Sequence, residues 1–165
     1  MAKKKAKLDT KTIGMIAIGI LGVLFAVVGL FLPWFASSAS SNVLGGGITQ
    51  WYGLFSDLGA VKTDFPFVMI QIFGIVAAAF SIIGIVALII KSLGIAKIGG
   101  LVKLILSALI IALGVLAIVF SFIYAGNYGG GLDFGDLARA GFSVAVGVFF
   151  TGIGSAVTGV MLLFK

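Results

Sequence analysis

Four stretches of this chain, residues 13–35, 67–90, 101–124 and 142–164, stay apolar for more than twenty positions each and share one charged side chain, Lys103. About 20 such residues in a helix cross the roughly 30 Å of hydrocarbon in a bilayer. The chain as a whole is 61% hydrophobic with a mean hydropathy of +1.31, where soluble domains are about 45–50% apolar. The expected fold is an all-α membrane protein. Its four transmembrane helices form a left-handed bundle, one domain over residues 13–165, behind a basic cytoplasmic tail at 1–12. The first run follows lysines as a signal peptide would, and Ala36-Ser37-Ser38 follows it. Its apolar core exceeds the roughly 7–15 residues of a signal sequence, so an uncleaved first helix is expected.

What the chain lacks narrows its chemistry. It has no His, no Cys and no Glu, and its acids are Asp9, Asp57, Asp64, Asp133 and Asp136. There is thus no imidazole base, no thiolate nucleophile and no thiolate or imidazole metal site. No glycine-rich run fits a phosphate-binding loop. Catalytic, cofactor and metal residues are therefore not expected, and the chain reads as a non-enzyme. An ion or proton route would need ionisable groups inside the spans. Only Lys103 approaches this, near a helix end from which it can snorkel to the headgroups.

The net charge of +6 is concentrated at the start: Lys3, Lys4, Lys5, Lys7 and Lys11 are five of the eleven basic residues. Next to a span, such a cluster is a membrane-surface anchor for anionic lipid headgroups rather than a nucleic-acid site. The tail, the link 91–100 with Lys103 just beyond it, and the C-terminal end with Lys165 hold nine Lys and one Asp, whereas the loops 36–66 and 125–141 hold Lys62, Arg139 and four Asp. Positive charge collects inside. The expected location is the cell membrane, multi-pass, with both termini cytoplasmic and these two loops outside.

Small residues at regular spacing mark faces where helices approach closely. The third span carries Gly100, Ser107, Gly114 and Ser121 at seven-residue steps, with Ala117 beside them. The second carries Gly74, Ala77, Ser81 and Gly84. The fourth carries Ser143, Gly147, Thr151, Ser155 and Gly159 at four-residue steps. These faces can pack within the bundle, or one of them can meet another subunit. Val148, one position off the four-residue series, should tolerate enlargement.

In the first outer loop, Ile48-Thr49-Gln50-Trp51-Tyr52 has the β-branched and aromatic content of a strand, with Gly45-Gly46-Gly47 before it. A small extracellular β-sheet built from this loop is expected. Asp64 is placed to cap the second helix, with Pro66 near its first position.

Trp34 at the end of the first span, followed nineteen residues on by Gly53-Leu54-Phe55, resembles the W…GLW signature of the claudin and peripheral-myelin-protein superfamily, with Phe for the last aromatic. The short basic link over 95–100 and the long first and short second outer loops are similar too. The resemblance implies four helices under an extracellular sheet. The family's two cysteines after GLW are absent: Ser56 and Asp57 follow instead. The sheet must then hold by strand pairing and by seating Trp34, Trp51 and Phe55 on the helix tops. Trp51, Tyr52, Gly53, Leu54 and Phe55, with Trp34, are the candidate loop anchor or partner surface. The expected role is a structural or accessory membrane subunit. It would assemble as a homo-oligomer, or with other membrane proteins, through small-residue helix faces and aromatic outer loops. The alternative is an oligomeric channel or transport-associated subunit.

Overall fold

A computed structural model describes residues 9–40, 47–55, 65–129 and 142–164. In chain order these form α1 (Thr10–Phe31), β1 (Pro33–Ser40), β2 (Gly47–Gly53), α2 (Phe65–Ser92), α3 (Gly100–Gly129), β3 (Phe142–Val144) and α4 (Val146–Phe164). Each helix is long and apolar enough to cross a membrane. The chain therefore has the make-up of a multi-pass membrane protein.

Local chemistry sets the boundaries, and several differ from expectation; α3, for one, runs five residues past 124 to Gly129. α1 starts at Thr10, inside the stretch assigned to the tail, because the Asp9 carboxylate accepts the Thr12 amide at 3.0 Å. It stops at Phe31 rather than running to residue 35. Pro33 restricts the residue before it to extended backbone, and Leu32 sits at φ −77, ψ 161. The fourth apolar run is not helical from residue 142. Phe142–Val144 is a strand, and α4 begins only at Val146. At its other end α2 closes as a glycine-terminated helix: Gly94 takes φ +68 while Ile95 N–H donates to Ile90 C=O at 3.1 Å. Pro66 is the second residue of α2; Asp64 lies outside the described residues.

The sheet has order β2-β1-β3, antiparallel throughout. β1 pairs with β2 from Pro33↔Gly53 to Ser40↔Gly47, and with β3 through Phe35↔Val144, Ala36↔Ser143 and Ser37↔Phe142. The expected sheet came from the first loop alone. Its third strand comes instead from the segment that precedes α4.

α4 packs against all three other helices, most extensively against α1 and α3. Its inward face is Gly147, Val148, Thr151, Gly152, Gly154, Ser155, Thr158 and Gly159. Many bulky residues of α1 face outward, Leu21, Leu24, Phe25 and Val28 being about half exposed, while Ile16, Val23 and Leu30 turn towards the interior. This suits a bilayer, where lipid already solvates aliphatic groups and close van der Waals fit holds helices together. Two larger-residue clusters complete the interior. One, at the sheet end, holds Trp34, Phe35, Leu54, Phe67, Ile70, Tyr124 and Val148; the other holds Ile85, Leu88, Ile110 and Leu162.

Candidate functional site where the sheet meets the bundle

A helix carbonyl normally accepts from the amide four residues on. For Gly29 that partner is residue 33, a proline, which has no N–H. The gap is filled by the next side chain: the Trp34 indole N–H donates to Gly29 C=O at 2.7 Å, fully buried. The Pro33-Trp34 pair therefore ends α1 and satisfies the carbonyl that its ending would orphan. Such a group is costly to leave bare in an apolar setting.

The indole fits because two helices give way to it. A Cβ on Gly74 of α2 would stand 2.7 Å from the ring, and one on Gly147 of α4 would stand 2.7 Å from its other side and 2.8 Å from Pro33 C=O. The Trp34 carbonyl, in turn, accepts the Ala145 amide at 2.8 Å. Leu54 is buried near the same ring, and its carbonyl accepts from Gln71 of α2 at 3.0 Å. Below β1 an aromatic triad forms: Phe35–Tyr124, Phe67–Tyr124 and Phe35–Phe67 have ring centroids 5.0, 5.4 and 6.4 Å apart.

The candidate loop residues separate on this geometry. Trp34 and Leu54 are fully buried anchors. Tyr52, opposite Phe35, is half-buried against the aromatic cluster, and Gly53 pairs with Pro33. Trp51 lies in β2 opposite Ala36, and its side chain is outside the described residues. Phe55 is not an anchor. It is 59% exposed, with its ring 6.4 Å from that of Phe31. Phe35, Phe67 and Tyr124 do the seating expected of it; at the ends of the apolar runs 13–35, 67–90 and 101–124 they looked like ordinary span termini in the sequence.

The small-residue faces are occupied within the chain. Thr151 and Thr158 hydroxyls donate to Ala26 C=O and Gly19 C=O of α1, at 3.3 and 3.4 Å. The Ser107 hydroxyl donates to Gly159 C=O, joining α3 to α4. A Cβ on Gly114 would meet Gly152 C=O at 2.8 Å and the Ser155 side chain at 3.0 Å. Ser81 and Ser121 bond back to Ala77 and Ala117 carbonyls at 2.7 Å. Ser155 is fully buried, and its hydroxyl has no hydrogen-bond partner. The four-residue series on α4, from Gly147 to Gly159, is thus an internal seam, the first of the two uses its spacing left open. Ser143 falls off it into β3. Val148 is buried too, so it is not the tolerant position its spacing implied. Gly100 also leaves the α3 seam: it is exposed, and a Cβ there would touch nothing.

Of the anchoring lysines, Lys11 is exposed in the first turn of α1 and the others lie outside the described residues. Lys11, Lys91 and Lys103 all lie within four residues of a helix end. Lys103 reaches the C-terminus of α4, donating to Leu163 C=O at 3.0 Å, where a cation is favoured by the helix dipole. Asp9 is the one acid among the described residues. No protein-family model, curated protein or solved structure matches the chain.

Proposed function

We propose that the chain is a non-enzymatic structural or accessory subunit of the membrane, of the claudin and peripheral-myelin-protein type, that presents its sheet to a partner at the outer surface. The observation that carries the reading is the clamp at Trp34. The indole is seated between two helices and closes the end of a third, so the sheet is held as a fixed platform without a disulfide. Rigid presentation lowers the entropy lost on binding. The helix faces that would otherwise recruit a neighbour are already filled, which leaves the sheet and its loops as the contact surface. Termini on the cytoplasmic side, from the lysine distribution, put that surface outside.

A channel formed by oligomerisation has less support. The hydroxyls of Ser81, Ser107, Ser121, Thr151 and Thr158 donate to carbonyls within the chain, and all five are buried inside it rather than on a face that a neighbouring copy could share. A photo-crosslinking residue at Tyr52, compared with one at Ile153 on the exposed face of α4, tests the reading in intact membranes. Protein adducts are expected from position 52 and lipid adducts from 153. Protein adducts at 153 alone, or a bare monomer by native mass with no adduct at 52, would overturn it.

A further inference from the structure

A groove of about 320 Å³ runs between α2 and α3, lined by Phe80, Val102, Ile105, Leu106 and Leu109. No polar side chain lines it. From Val102 to Leu109 it extends about 10 Å along α3, and Phe80 lies eleven residues, or about 16 Å, before Lys91. The hydrocarbon of one leaflet is about 15 Å deep, so the groove runs from just inside one membrane face towards the midplane. That face is the basic one. The connection between the same two helices holds Lys97, exposed, and Lys91 ends α2; no acid occurs anywhere in 91–100.

We propose that this groove holds one acyl chain of an anionic phospholipid, with the headgroup phosphate at the level of Lys91 and Lys97. Depth and charge select this occupant together. A chain lying in the groove brings its own headgroup to the membrane surface at the α2–α3 connection, where the positive charge favours a net negative lipid. A second copy fits less well. A symmetric contact through one face sets each residue near its duplicate, and would bring the basic connections of two copies together with no acid between them.

The test uses the full chain, purified in mild detergent, delipidated, and titrated with phosphatidylglycerol or with phosphatidylcholine of the same acyl chains. The thermal unfolding midpoint and native mass are followed. Phosphatidylglycerol should raise the midpoint, saturate near one equivalent and appear as a single adduct; phosphatidylcholine should do so only at much higher concentration. Leu109→Trp, which fills the groove, should abolish the saturable shift with both lipids while helical content stays unchanged. Ile105→Phe, at a more exposed position, serves if that variant fails to fold. Lys91→Gln with Lys97→Gln should remove the preference for phosphatidylglycerol and keep the weaker shift. Equal response to the two lipids in the wild type, or a shift that survives filling of the groove, overturns the proposal. So does a dimer that dissociates when Leu109 is replaced.

Discussion

Replacing Trp34 by Phe separates the two things the indole does. It removes the N–H that satisfies Gly29 C=O at 2.7 Å, and a buried carbonyl left without a donor costs about 1–3 kcal/mol. It also deletes part of a ring lodged between Gly74 and Gly147. At about 0.8 kcal/mol per methylene-sized group, the missing atoms cost about 2 kcal/mol. Together the loss is about 3–5 kcal/mol, a large share of the roughly 5–15 kcal/mol that holds a typical domain. If the indole stands in for the absent proline amide, the hydrogen-bond part is recoverable. Pro33→Ala restores a backbone N–H four residues after Gly29. In the Trp34→Phe background it should therefore return about 1–3 kcal/mol, while in the wild type it should be neutral or mildly harmful. The cycle is read by SDS titration in mixed micelles, following helical content and tryptic cleavage after Lys62, between β2 and α2. A coupling energy near zero between the two positions would refute the substitution of indole for amide, whatever the single variants cost.

Three further outcomes follow from the packing. A Cβ on Gly154 would stand 2.5 Å from both Gly22 C=O and Ala26 N, whereas one on Gly14 would touch nothing. Gly154→Ala should then lose about 1–3 kcal/mol from overpacking, and Gly14→Ala should be neutral or gain up to about 1 kcal/mol in helix propensity, by the same SDS titration; equal effects would show that the α1–α4 seam is not tight. Gly159→Leu should unfold or aggregate the chain rather than convert an oligomer to a monomer, since Ile111 and the Ser107 carbonyl occupy that space, with Ile153→Leu as a silent control; a well-folded variant of reduced particle mass would return the face to intermolecular use. Gln71→Leu should cost about 1 kcal/mol by leaving the Leu54 carbonyl without its donor, and should speed proteolysis beside Phe55; unchanged cleavage would mean that strand pairing alone holds this turn.

The four spans, the β2 strand and the packing face of α2 could be read from the sequence because each depends on a local pattern. Length and apolarity define a span. Gly74, Ala77, Ser81 and Gly84 repeat at helical spacing and are all buried. The errors occur where two structures share one pattern. Phe142-Ser143-Val144 is apolar enough to continue a helix and β-branched enough to form a strand, and periodicity does not separate these; the free edge of β1, formed by residues more than a hundred positions earlier, decided it. Pro33 did carry a readable stop signal, outweighed by the apolarity of the residues around it. The fourth-helix series was visible, but its partner was not: spacing shows that a face is small, and only the positions of Gly22, Ala26 and Gly29 show what fills it. Phe55 and Leu54 are neighbours of similar hydrophobicity, and the direction of the turn after β2 chose which was buried.

The tightest helix contact joins the first helix of the chain to the last, and this has a consequence for biogenesis. During synthesis α1, the two long strands and α2 emerge well before α4 exists. Until then α1 lacks its backbone-to-backbone partner, Trp34 lacks its Gly147 wall and β1 lacks its third strand. The bundle is therefore closed by its C-terminal segment, and a nascent chain must hold its N-terminal half in the membrane half-packed. A ribosome stalled before residue 142 would leave a tetherable intermediate with an exposed indole and an unpaired strand edge, the features that a membrane insertase or quality-control protease could recognise. Entry of α4 is therefore the step that completes the packing of this bundle.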